Sequence, residues 1–227
     1  MPQTVPEVQI LRVLFNPDGP LFSLGEQLFD IMAVSILWVL CCIPIVTILP
    51  ATSALYYVAV KQIRKHNGSL LNNFFGSFRD SLRTGIPITC IVLIYATVMT
   101  ASIWELNGMT ENGSLGTAGI YLSYTVKALL LPLLLVLPYL APVISRFSIG
   151  IGSLLKLSIV LSLRFFWRTF LLLVLIAGSA ILLWFVPFFI FALPGVCAVV
   201  CSFLIEPALR VYMPKREPND PVPWYWE

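Results

Sequence analysis

Glu26 and Asp30 stand one helical turn apart at the start of a long apolar run, where two carboxylates could form an acidic site for a cation or a sugar. In the first turn of a helix the same acids also suit the positive end of the helix dipole, with no ligand involved. Lys127 interrupts a later apolar run. It could hold an anionic group or a buried partner such as Asp30, or it could snorkel along the helix to the surface. Glu206 and Arg210 are four residues apart at the end of the last apolar run, an i, i+4 pair whose expected role is structural. These five residues are the candidate intramembrane polar groups.

Other chemistry finds little support. Cys41, Cys42, Cys90, Cys197 and Cys201 all lie in apolar runs and are expected to act as small hydrophobes. Cys197 and Cys201 have the spacing of a metal pair but lack further ligands, because His66 is the single histidine. A Ser-His-Asp arrangement is not expected for the same reason. There is no glycine-rich phosphate loop, and no two acids sit deep in spans as an intramembrane aspartyl protease would need. The expectation is a protein that is not an enzyme and carries no cofactor or metal.

The elements that must position these residues are membrane helices. Of 227 residues, 59% are hydrophobic and 11% charged, with a mean hydropathy of +0.91. An ordinary soluble domain has about 25% charged residues and needs them to cover its surface. The net charge of +3 is small, and the bases are not gathered into one stretch with aromatic residues between them. Nucleic acid is therefore not an expected partner; the lipid bilayer is. Residues 1–23 carry Glu7, Arg12, Asp18 and several prolines, which is not the pattern of a cleavable signal peptide. They read as an N-terminal segment, 24–211 as a single membrane domain and 212–227 as a cytoplasmic tail.

Four uncharged or nearly uncharged blocks stand out, at 31–60, 86–104, 118–145 and 169–205. A spanning helix needs about 20 such residues, so the second and third blocks fit single spans and the first and last are long enough for hairpins. In the last block Leu193-Pro194-Gly195 predicts a turn between helices at about 169–191 and 195–211. In the first, Pro44 and Pro50 predict extended backbone after a helix over 24–43. Thr52 or Ser53 would then cap a short second leg reaching His66, or one long kinked helix runs through. Pro132, Pro138 and Pro142 mark either the broken helix of a transporter site or ordinary kinks. Two connectors, 70–84 and 150–168, read as amphipathic helices in the membrane interface, or as helices packed on the spans. The fold class is thus all-α: a polytopic bundle of five to six membrane helices with two cytoplasmic interfacial helices.

Orientation follows from charge. Lys61, Arg64, Lys65, Arg79 and Arg83 separate the first two blocks, and Arg146, Lys156, Arg164 and Arg168 separate the last two. Arg210, Lys215 and Arg216 follow the final span, whereas 105–117 holds Glu105 and Glu111 and no base. Positive loops stay cytoplasmic, so the connectors and the C-terminus are expected inside and 105–117 outside the cell membrane. Six helices would put the N-terminus inside and five would put it outside.

Asn16-Pro17-Asp18-Gly19-Pro20-Leu21, Pro44-Ile45-Val46-Thr47, Thr52, Ala54-Leu55-Tyr56-Tyr57, Phe74-Phe75 and Ser77-Phe78-Arg79 follow one another in an order and spacing that resemble the YesL-like family of bacterial membrane proteins. Tyr139-Leu140-Ala141-Pro142 running into Arg146-Phe147 extends the likeness over 11–210, more weakly. The family usually has glycine after the Pro-Ile-Val-Thr stretch, where this chain has Leu49-Pro50, so the shape of the first hairpin stays open. The resemblance implies a role near carbohydrate ABC transport and supplies no catalytic or ligand residues. Two functions are carried forward: an accessory or regulatory component beside a sugar permease or sensor protein, and a small secondary transporter or channel.

Overall fold

The structure is a computed structural model that describes residues 20–63, 69–111, 116–147 and 149–213. Expectations placed on 1–19, on Arg64, Lys65 and His66, on the side chain of Glu111 and on the tail from 214, with Lys215 and Arg216, lie outside the described residues. Every regular element described is helical. Seven α-helices follow in order: α1 (Pro20–Cys41), α2 (Ile48–Val58), α3 (Leu70–Glu111), α4 (Gly116–Arg146), α5 (Ile151–Arg164), α6 (Phe166–Phe185) and α7 (Leu193–Leu209). Among the described residues, three helices are long and apolar enough to cross a membrane: Leu70–Thr110, Gly119–Arg146 and Phe166–Phe185. Two shorter apolar helices, Ile45–Lys61 and Leu193–Leu209, accompany them. The chain is a helical membrane protein.

The first block forms a hairpin. Thr47 ties its turn by placing its hydroxyl 2.6 Å from the carbonyls of both Cys41 and Pro44. The backbone between the prolines is helical rather than extended, with a 3₁₀ turn at Ile45–Thr47 leading into α2. Thr52 and Ser53 lie inside α2 and do not cap it. Pro50 is in the first helical turn, where a missing N–H costs no hydrogen bond, so Leu49-Pro50 replaces glycine without breaking the helix. A π-helical turn, Ala59–Ile63, ends the leg.

The connector 70–84 is not a separate interfacial helix. It runs without a break into the following span, making α3 42 residues long. At 1.5 Å per residue that is about 63 Å, twice the hydrocarbon thickness, so one end of α3 stands beyond the bilayer core. The uncharged stretch 86–104 identifies that end as 70–85. The second connector does form its own helix, α5, which buries Leu154, Ser158, Leu161 and Ser162 and exposes Lys156. Its end is at Phe165 (φ −111°, ψ 45°), so Trp167 and Arg168 belong to the next span.

Two proline effects move the expected boundaries of the last block. Pro187 has no N–H and forces Val186 toward extended backbone (φ −133°), so α6 stops at Phe185 and a 3₁₀ segment, Pro187–Phe191, follows. Leu193-Pro194-Gly195 is the first turn of α7 rather than a β-turn. The three prolines of α4 leave it continuous from Gly116 to Arg146, in line with kinks and not with a broken helix.

Packing is closest between α2 and α3. Ala51, Ser53 and Ala54 are fully buried there, and Ser53 Oγ lies 3.1 Å from Ser81 Oγ. Small residues let the two backbones approach closely, and the buried hydroxyl pair bonds across the contact. Elsewhere Trp38 donates to Thr52 Oγ1 at 3.2 Å, joining α1 to α2. The buried hydroxyls of Tyr139 and Thr169, 3.1 Å apart, join α4 to α6.

Candidate functional site

The polar residues singled out from the sequence do not converge. Glu26 and Lys127 are exposed, and Asp30 is half-buried. Lys127 places its ammonium 5.4 Å from the centre of the Tyr124 ring and forms no ion pair with Asp30. Its side chain lies on an exposed helix face beside Tyr124. Glu206 is not paired with Arg210, which is exposed; its partner is Arg146, sixty positions away in sequence.

That pair is the polar centre of the molecule. Arg146 Nη2 donates to Glu206 Oε1 at 2.9 Å, with side chains 1% and 5% exposed. Tyr56 donates its hydroxyl to Glu206 Oε2 at 2.9 Å, so the carboxylate is held on both oxygens. The three residues come from α4, α7 and α2. Charge-assisted bonds of this kind are short and directional, and a buried carboxylate needs them. In the sequence Arg146 reads only as a connector base and Tyr56 carries no assigned role. The available signal was that Arg146 ends an apolar run rather than lying within a polar loop.

A groove of about 380 Å³ opens beside this centre, between the protruding part of α3, the end of α2 and the end of α4. Its long wall is a polar stripe on α3: Asn72, Asn73, Ser77, Asp80, Ser81 and Thr84. The stripe follows from spacing, since 72, 76, 80 and 84, and likewise 73, 77 and 81, repeat every fourth residue and share one helix face. Phe74 and Phe78 occupy another face, Phe74 fully buried, with their rings stacked 6.3 Å apart. The opposite wall is Arg146 with Phe147, and Tyr57 closes one side. Lys61, on the π-helical turn, donates to Tyr57 Oη and to Asn73 Oδ1, each at 3.0 Å, and so fastens the end of α2 to α3. Of the apolar repeat Leu71, Phe74, Phe75, Phe78 and Leu82, only Phe74 is buried while Leu71 and Phe75 are exposed, and the polar residues on the other side of the helix face a groove.

Cys197 and Cys201 have their sulfurs 3.8 Å apart, and among the described residues no cluster of three or more His, Cys, Asp or Glu could hold a metal. No curated protein and no solved structure matches the chain. The model of a family described as "Protein of unknown function, DUF624" matches residues 31–103, a stretch that carries Tyr56, Tyr57 and the polar stripe of α3 but neither Arg146 nor Glu206.

Proposed function

We propose that this protein is a non-catalytic accessory or regulatory component in the cell membrane, acting beside a sugar permease or sensor protein. The resemblance to the YesL-like family supports the carbohydrate association. The observation that favours an accessory role over transport is the placement of polar groups. Lys127 and Glu26 lie on exposed surfaces, while Arg146, Glu206 and Tyr56 are locked together at one end of the bundle. A solute path would need polar groups distributed through the depth of the bilayer. In this reading the exposed bases Arg79, Arg83, Lys156 and Arg164 form the cytoplasmic face, in keeping with the positive-inside rule.

The test is affinity isolation of the tagged protein from its own host in mild detergent. Recovery of a sugar permease, its binding protein or a sensor kinase, absent from an untagged control, is the expected result. Recovery of the chain alone, together with solute flux in reconstituted liposomes that Lys127→Ala abolishes, would replace this reading with the transporter.

A further inference from the structure

We propose that the groove between α2, α3 and α4 binds an uncharged small molecule rich in hydroxyl groups. It is of ligand size, within the range of about 300–1,000 Å³ found for small-molecule sites. Its wall chemistry selects the class. Asn72, Asn73, Ser77, Ser81 and Thr84 offer amide and hydroxyl donors and acceptors along one face, and Tyr57 and Phe147 add ring surface. An apolar ligand would strip water from these groups without replacing its hydrogen bonds.

Among the lining residues the two charges, Arg146 and Asp80, are of opposite sign, and the exposed Arg79 and Arg83 on the same stretch of α3 are not part of the lining. Arg146 is already held by Glu206, and Asp80 stands exposed on the same wall. An anion attracted to Arg146 would meet Glu206 and Asp80, and a cation attracted to Asp80 would meet Arg146. A neutral ligand escapes both conflicts. The walls are also set in place beforehand: Arg146 by its ion pair, Ser81 by Ser53, and Asn73 by Lys61. Fixed walls of this kind reduce the ordering cost of binding. The groove lies on the part of α3 beyond the bilayer core, where a water-borne molecule can reach it.

This inference stands on the groove alone: partner isolation can fail while the groove binds, and the reverse. The test uses the full chain in detergent micelles, with calorimetric titration of three neutral probes (glucose, sucrose and sorbitol), inorganic phosphate and glycerophosphoethanolamine. The expected result is saturable binding of at least one neutral probe at millimolar concentration or below, and none for phosphate. Ser77→Leu, which fills the groove, should weaken that binding at least tenfold while the unfolding temperature of the unliganded protein holds. Should Ser77→Leu lower that temperature, Asn72→Ala on the exposed rim supplies the comparison, with a smaller loss of affinity. Saturation by phosphate or glycerophosphoethanolamine alone would overturn the proposal. So would failure of all three neutral probes, or binding that neither substitution alters.

Discussion

Gly85 of α3 lies directly against the ring of Pro50 in α2: a Cβ at position 85 would stand 2.7 Å from Pro50 Cγ and 2.9 Å from its Cδ. The proline ring cannot rotate away as a long side chain would, so the two helices would have to separate. Gly85→Ala should therefore cost about 1–3 kcal/mol, the usual range for overpacking a close contact. Gly178→Ala, where nothing lies within 4 Å, is the matched control and should leave stability unchanged or slightly raised. Thermal unfolding of both variants in detergent checks the difference. Equal midpoints would show that α2 and α3 are not in this contact.

The buried pair of Arg146 and Glu206 makes a second, asymmetric prediction. Removing one partner leaves an uncompensated charge among apolar groups, which costs about 3–5 kcal/mol. Glu206→Ala and Arg146→Ala should each destabilise on that scale. Replacing both, as in Arg146→Met with Glu206→Leu, removes the isolated charge and should recover much of the loss. Tyr56→Phe removes one of the two bonds to the carboxylate and should cost less than either alanine variant. A double variant as damaged as the sum of the two single ones would contradict the pairing.

Ser35 completes the start of α7 from a different helix. Ala192, at the N-cap position, makes no side-chain cap, and Gly195 N donates instead to Ser35 Oγ at 2.9 Å. The first N–H groups of any helix lack partners of their own, and in lipid no water replaces them. Ser35→Ala should cost about 1–3 kcal/mol by leaving this buried donor unmade. Gly195→Ala should do further harm, because its Cβ would meet the carbonyl oxygen of Ile31 at 2.8 Å, a backbone atom that cannot turn aside. Unfolding midpoints for both variants, measured beside wild type, test the cap.

These contacts mark the limit of what the sequence alone conveys. Apolar runs locate the helices because lipid demands continuous helical hydrogen bonding wherever the chain lacks charges. The repeat of Leu71, Phe74, Phe75, Phe78 and Leu82 likewise identifies the apolar side of early α3. Proline positions are harder to read, since Pro50 and Pro194 sit harmlessly in first turns while Pro187 ends a helix, and local sequence looks much the same in each case. The Arg146–Glu206 pair is invisible to periodicity because its partners are far apart in sequence. The i, i+4 spacing of Glu206 and Arg210 offered a plausible local substitute that the packing of α4 against α7 overrides.

Orientation in the membrane yields the remaining prediction. Arg79, Lys156 and Glu105 are all exposed, the two bases on connectors expected inside and the acid near the loop expected outside. The start of α3 and the end of α4 share one end of the bundle, because these helices are antiparallel neighbours. Arg164 bonds to Tyr212 Oη at 2.9 Å, bringing the end of α5 and the residues after α7 to a common end. In a cysteine-free background, Glu105→Cys should react with a membrane-impermeant thiol reagent in intact cells. Arg79→Cys and Lys156→Cys should react only after the membrane is opened. Labelling of all three in intact cells, or of the two former basic positions alone, would reverse or abandon the assignment. Labelling of the two basic positions alone would also place the groove on the outer face, where its ligand would come from the surroundings of the cell.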